Sequence, residues 1–129
     1  MGQPADRAGR DPAKDVLDQG ETLARLEDDA GLMRELVEVF LQESPRLMAD
    51  IQRSVDSGDG ARLELAAHTL KGAITNFAAP RAFEAAFKLE KIGRSGVLAD
   101  HAEATCRELE DEMDQLEAAL AALGREYAL

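Results

Sequence analysis

Leu65-Ala66-Ala67-His68-Thr69-Leu70-Lys71-Gly72-Ala73-Ile74-Thr75-Asn76-Phe77 is written as an apolar helix, yet it carries a His, a Lys and a Gly that an ordinary helix gains nothing from. At about 100° per residue, Leu63, Ala66, Leu70, Ala73, Ile74 and Phe77 fall within one arc of roughly 100°. That arc is the predicted core stripe. His68 lies about 170° from its centre by the same arithmetic, so the histidine is predicted to face away from the core.

The face opposite the stripe carries the chemistry. Ala61, Leu65, His68, Gly72 and Thr75 lie within about 80° of one another, with Glu64 and Lys71 at the edge. Gly72 is the most informative of them. In a helix interior, glycine costs about 0.5–1 kcal/mol relative to alanine, and something must offset that cost. Gly72 sits one turn from His68, and its missing side chain clears space for another body to reach the ring. Lys71 places a mobile cation where an anion bound to His68 would sit, and an ammonium suits phosphate oxygens. An imidazole near neutral pH has a nucleophilic nitrogen. Taken singly, each residue has an ordinary explanation: a surface histidine, a solvated lysine, a glycine at a helix–helix contact. Their coincidence on one outward face points instead to a phosphate-accepting histidine with a charge-stabilising lysine and a steric window.

Outward from this helix, the rest of the chain reads as helical support. Asp29 to about Val55 is predicted as a long helix, with Asp28 or Asp29 as N-cap. Leu32, Leu36, Val39, Phe40, Leu47, Ile51 and Val55 recur at three- and four-residue steps along it. Pro45 lies inside the pattern and should bend the helix near Leu41. Gly58-Asp59-Gly60 is a turn, and the histidine-bearing helix follows from Asp59 or Gly60 to about Ala78. Pro80 fits the first position of a helix to about Gly93, lined by Ala82, Ala86, Leu89 and Ile92 with Phe83 and Phe87 beside them. Gly93-Arg94-Ser95-Gly96 reads as a loop. The last helix is predicted from Val97 or Leu98 to about Leu123. Ala102, Cys106, Leu109, Met113, Leu116, Leu120 and Leu123 form a coiled-coil-like seam along it, and Gly124 is the expected stop.

Upstream, residues 15–27 read as a short helix or turn pair interrupted by Gly20. Residues 1–14 carry Gly2, Pro4, Gly9 and Pro12 among mixed charges and are predicted to be a disordered leader, or a linker remnant. Short loops between four long helices imply antiparallel neighbours. The predicted fold is therefore all-α: an antiparallel up-down-up-down four-helix bundle spanning 15–127, with a short additional N-terminal helix across one end.

Composition narrows the function classes. A chain of 129 residues supports one domain with a real core. The formal net charge of −11 argues against nucleic acid and against an anionic membrane surface. No apolar run approaches the roughly 20 residues that span a bilayer, and the N-terminus lacks the apolar core of a signal peptide. A single cysteine excludes an intrachain disulfide and fits a reducing, cytoplasmic setting.

Ala67-His68-Thr69-Leu70-Lys71-Gly72, followed by Ile74-Thr75-Asn76-Phe77-Ala78-Ala79-Pro80 and later by Leu89-Glu90 and Gly93-Arg94, resembles the histidine-containing phosphotransfer domain of two-component phosphorelays. The resemblance covers about Val16 to Leu123. It implies that His68 is the phosphorylated histidine, that Lys71 stabilises the phosphoryl group and that Gly72 gives access. It also implies that the partners are receiver domains of response regulators and of hybrid histidine kinases. The phosphoryl group would pass from one receiver aspartate to His68 and on to another, with Mg²⁺ held by the receiver and no cofactor bound by this chain. Ala61, Glu64, Leu65 and Thr75 would belong to the docking surface. Neither common glycine-rich ATP loop occurs, so the chain is not expected to be a kinase by itself. It would act in the cytoplasm, alone or as the cytoplasmic part of a larger sensor kinase. One departure is Ala78-Ala79, where the family carries Gly-Ala, and it bears on where the histidine helix ends.

Other readings are weaker. A di-iron bundle uses inward-facing Glu-x-x-His motifs; here Glu64 and His68 are four apart and outward, and His101 lacks a matching partner. No Ser or Cys has a recognisable base, Cys106 falls in a core seam, and the acids Glu108, Glu110, Asp111, Glu112 and Asp114 read as a solvated face. The alternative from a different class is a helical interaction module of the same fold that is no longer phosphorylated.

Overall fold

Aspartates set the helix starts. Asp11, Asp18, Asp29 and Asp59 each turn a carboxylate back onto a backbone N–H of the following turn, satisfying a donor that the helix leaves orphaned. In the computed structural model, which describes residues 11–99 and 101–127, they open α1 (Pro12–Val16), α2 (Gln19–Arg25), α3 (Ala30–Ser57) and α4 (Gly60–Ile74). Two further helices, α5 (Pro80–Ser95) and α6 (Ala102–Glu126), complete the chain, and no strand occurs among the described residues. α5 starts on Pro80 at its first turn, with no side-chain cap. Gly58 (φ 68°) and Gly96 (φ 75°) adopt the left-handed conformation that ends α3 and α5.

α3, α4, α5 and α6 pack in a closed square: α3 on α4, α4 on α5, α5 on α6, and α6 back on α3. The fold is the all-α four-helix bundle that the pattern predicts, with two short N-terminal helices where one short helix or a turn pair was expected. The expected leader overlaps α1 at Pro12–Lys14, and residues 1–10 lie outside the described part. Asp18 caps α2, and Gly20 sits within that helix rather than interrupting it.

The α6 seam is buried along its whole length, from Ala102 to Leu123. The helix begins at Ala102 rather than at Val97 or Leu98. Gly124 does not stop it. The helix runs on to Glu126, and Tyr127 packs against the core just beyond.

α3 departs from its predicted stripe. Met33, Val37, Phe40, Ser44, Leu47, Ile51 and Ser54 are buried, a strict alternation of four- and three-residue steps, whereas Leu32 and Val39 are 40% and 55% exposed. Two serines hide this seam in the sequence. Ser44 donates its hydroxyl proton to Glu117 on α6, and Ser54 donates to the carbonyl of Asp50. Each is satisfied, so burial costs little. α3 is helical through Pro45.

α4 is also rotated slightly from expectation. Its buried stripe is Leu63, Ala67, Leu70 and Ile74, while Ala66 and Ala73 are half-buried on the flank towards α3. The helix ends at Ile74 with Thr75 as cap residue, short of Ala78. The turn that follows is held by the N-terminal helices. The Asp18 N–H donates to the Ala78 carbonyl (2.8 Å), and the Ala78 N–H donates to the buried Thr22 hydroxyl (3.0 Å). Arg25 donates to the carbonyls of Thr75 and Phe77. Ala78 is not among the residues with positive φ, so the turn does not require a glycine there.

α4 and α5 meet backbone to backbone. A methyl group on Gly93 would lie 2.5 Å from the Glu64 nitrogen, and one on Gly60 would lie 2.8 Å from the Gly93 carbonyl oxygen. This contact sets α5 directly against the outward flank of α4.

Candidate functional site

His68 stands on the outer surface of α4 with its side chain 63% exposed. The structure places the ring as the helical arithmetic predicts, and the small rotation of α4 brings it to the α5 boundary. There Nδ1 lies 3.1 Å from Oε2 of Glu90. Glu90 comes from the buried side of α5, in step with Ala82, Ala86, Leu89 and Gly93, and is only 3% exposed. Three basic side chains surround its carboxylate. Lys71 reaches Oε1 at 2.7 Å, while His68 and Arg94 share Oε2, each at 3.1 Å. Arg94 also donates through Nε to Glu64 at 2.7 Å, linking α5 back to α4.

Burial alone would raise the Glu90 carboxyl. Hydrogen bonds from Lys71 and His68, together with their charge, outweigh it and hold the group below the ordinary carboxylate range. The carboxylate is therefore ionised and can only accept. A neutral His68 must then donate from Nδ1, which leaves the lone pair on Nε2 of an exposed ring. The arrangement can present a nucleophilic nitrogen to an incoming electrophile and balance positive charge that develops on the ring.

Gly72 is exposed, and a methyl group built on it meets nothing within 4 Å. The space next to His68 is open, as the steric-window reading requires. Lys71 differs from the mobile cation expected. It is 17% exposed, paired with Glu90, and its ammonium lies 4.6 Å from the centre of the Phe87 ring and 5.9 Å from that of Phe83.

Ala61, Glu64 and Leu65 line a cleft of about 370 Å³ together with His68, Glu90 and Arg94. Leu65 is 67% exposed at its edge. Thr75 does not join this cleft. It lines a separate cavity at the end of the bundle, with Arg25, Phe77 and Phe83. Glu64 is turned to Arg94, and among the described residues no group of three His, Cys, Asp or Glu side chains is placed to hold a metal ion. His101 is exposed at the start of α6 and makes no capping bond with its side chain. In the acidic run of α6, Glu108 and Glu112 pair with Lys88 and Arg81 of α5.

A family model described as the Hpt domain matches residues 35–122, more than half of the chain. The chain belongs to the Hpt domain family. That membership makes it a histidine phosphotransfer domain of phosphorelays, a class that works with receiver domains. No curated protein matches it. Two solved structures share the fold of this Hpt domain. One is the HPt domain of a sensor hybrid histidine kinase from Shewanella, 20% identical, with a TM-score of 0.77. The other is histidine-containing phosphotransfer protein B (HptB) from Pseudomonas aeruginosa PAO1, 22% identical, with a TM-score of 0.79. Each comparison covers 87% of this chain and 96% of the other.

Glu90, like Arg94 beside it, is a residue of the Hpt site to which sequence reading assigned no role. Its signal was present: an acid on the stripe of α5, four residues after Ala86, where only a paired charge is tolerated.

Proposed function

We propose that His68 is the phosphorylated residue of this Hpt domain and that Nε2 is the atom that carries the phosphoryl group. The observation that supports this is the bond between His68 Nδ1 and the buried Glu90 carboxylate, which leaves Nε2 as the basic nitrogen of an exposed ring. The Nε2 lone pair attacks the phosphorus of a receiver's aspartyl-phosphate in line. The Nε2–P bond forms, the bond from phosphorus to the aspartyl oxygen breaks, and the aspartate leaves as a carboxylate. The ring keeps its Nδ1 proton, and its positive charge faces Glu90. A second receiver aspartate takes the group by the reverse chemistry.

Phosphoryl transfer of this kind depends mainly on positioning and charge. The Mg²⁺ it needs belongs to the receiver's acidic pocket. Ala61, Glu64 and Leu65 supply the docking rim beside the ring, and the open position at Gly72 admits the receiver's active-site edge. Thr75 lies at most at the margin of that contact. The partners are receivers of response regulators and hybrid kinases. The acidic surface and single cysteine support a cytoplasmic setting, either stand-alone or within a sensor kinase.

The test is incubation with a receiver domain charged by acetyl phosphate and Mg²⁺. Wild type is expected to acquire acid-labile, alkali-stable phosphate, and His68→Gln none. Equal labelling of the variant removes His68 from the reaction.

A further inference from the structure

A recess lies between the two N-terminal helices and the turn that joins α4 to α5. Its volume is about 370 Å³, in the lower part of the range for small-molecule sites. The floor is apolar: Phe77, Ala78 and Ala79 are buried there, Phe83 is half-buried, and Pro80 closes one edge. The walls are held from both sides. Ala78 is bonded through its carbonyl to the Asp18 N–H and through its N–H to the Thr22 hydroxyl, and Nη1 of Arg25 donates to the carbonyls of Thr75 and Phe77. A site already held open loses little of a ligand's binding energy to ordering.

The rim carries charges from α1 and α2, and they are not equally occupied. Asp18 accepts the Glu21 N–H at 3.0 Å, and Glu21 pairs with Nε of Arg25 at 3.3 Å. The Thr75 hydroxyl donates to the Gly72 carbonyl. Lys14, by contrast, makes no ion pair or side-chain hydrogen bond among the described residues, and Nη2 of Arg25 donates to none of them. The unused groups at the mouth are therefore donors: an ammonium and one amino group of a guanidinium. A carboxylate satisfies both with charge-assisted bonds, and the floor beneath favours an apolar body.

We infer that this cavity is a binding site for a small organic carboxylate with an aromatic or branched apolar body. The carboxylate meets Lys14 and Arg25 at the rim, and the body lies against Pro80 and Phe83. The site shares no lining residue with the His68 cleft and stands independently of the phosphotransfer reading.

The test is a titration of the full chain with phenylacetate, followed by ¹H–¹⁵N NMR, with phenylacetamide and acetate as controls. Phenylacetate is expected to give saturating shifts confined to Lys14–Arg25 and Thr75–Phe83, with a dissociation constant of about 1 mM or below. Its ring protons are expected to show nuclear Overhauser contacts with Phe83 and Ala79. Phenylacetamide lacks the charge and acetate lacks the ring, so each is expected to bind at least about tenfold more weakly. Lys14→Glu and Lys14→Met, both at an exposed position of α1, are expected to weaken phenylacetate at least about fivefold and to leave phenylacetamide within about twofold. Shifts that fail to saturate, or that centre on the His68 cleft, overturn the inference. Equal binding of phenylacetate and phenylacetamide overturns it too, as does phenylacetate binding that neither Lys14 variant changes.

Discussion

Glu90 ties the reactivity of His68 to the stability of the bundle. Its carboxyl lies below the ordinary range in the folded protein, because Lys71 and His68 outweigh the effect of burial. A group with a lowered folded value contributes stability that is present above its unfolded value and lost as pH falls through the folded one. Wild type is therefore expected to lose stability from about pH 5 downwards, with part of the loss due to Glu90. Glu90→Gln should start less stable at neutral pH and show a shallower decline, read from urea midpoints at a series of pH values. Parallel declines would mean that Glu90 does not carry the acid sensitivity. Gly72 gives a complementary case, because its neighbourhood is empty and its backbone is helical. Gly72→Leu is expected to fold with equal or slightly higher stability, by up to about 1 kcal/mol from helix propensity. Its transfer from a phosphorylated receiver should fall at least tenfold, because the leucine occupies the approach to the ring. A transfer rate equal to wild type would end the steric-window argument. The outward direction of His68 and the openness at Gly72 were legible because both follow from helical periodicity alone. The confinement of Lys71 was not, because its partner lies on another helix 19 positions further along.

At the scale of the elements, glycine does different work at each position. Gly72 keeps a surface open, whereas Gly93 lets two helices touch. A methyl group at Gly93 would press on the backbone of Glu64, where no side chain can move aside. Gly93→Ala is expected to cost about 1–3 kcal/mol in chemical denaturation, the range for overpacking a close contact. It should also part α4 from α5, weakening the Arg94–Glu64 and His68–Glu90 bonds, with a visible shift in the His68 ring resonances. A variant as stable as wild type would show that the crossing has slack. Gly93 read as part of a loop because Gly-Arg-Ser-Gly is turn-rich, yet the contact of α5 with α4 holds it in helix. The α3 stripe held at Phe40, Leu47 and Ile51 but missed Met33 and Val37, for a related reason. Leu32 and Val39 fit a three-and-four pattern as well as Met33 and Val37 do, and the true seam passes through Ser44 and Ser54. Only the partners Glu117 and the Asp50 carbonyl make those serines acceptable inside. By contrast α6 was legible in full along its seam, because every position on it is apolar. Thr22 is a further such device: its hydroxyl joins α2 to the Ala78 turn, a contact between residues 56 apart in the chain that no local pattern announces.

For the whole molecule, the question is whether the square of helices opens as one unit. Cys106 offers a probe, because it lies in the α3–α6 contact near the start of α6. It is 1% exposed, and its thiol meets the Gln52 side chain of α3 at 3.4 Å. Burial pushes the thiol up to about 11, with Glu110, Asp56 and Glu103 adding to the effect. Only the thiolate reacts, so at about pH 8 roughly one thiol in a thousand is in the reactive form even before access is considered. Labelling by a disulfide reagent or by iodoacetamide must therefore wait for the seam to open. If α3 and α6 part only when the bundle unfolds, the labelling rate will follow the global unfolding equilibrium and rise with denaturant at the same slope as the circular dichroism transition. That is the expected result, since the seam runs without interruption from Ala102 to Leu123. A labelling rate insensitive to low denaturant would instead reveal a local opening of the α3–α6 pair. His68 and its carboxylate stand on the opposite pair, α4 and α5, joined at Gly60 and Gly93. Charging wild type with phosphate should then leave the Cys106 labelling rate within about twofold, because the group is added to an outward ring and needs no opening of the core. A larger change on phosphorylation would mean that the surface chemistry at His68 is felt across the bundle.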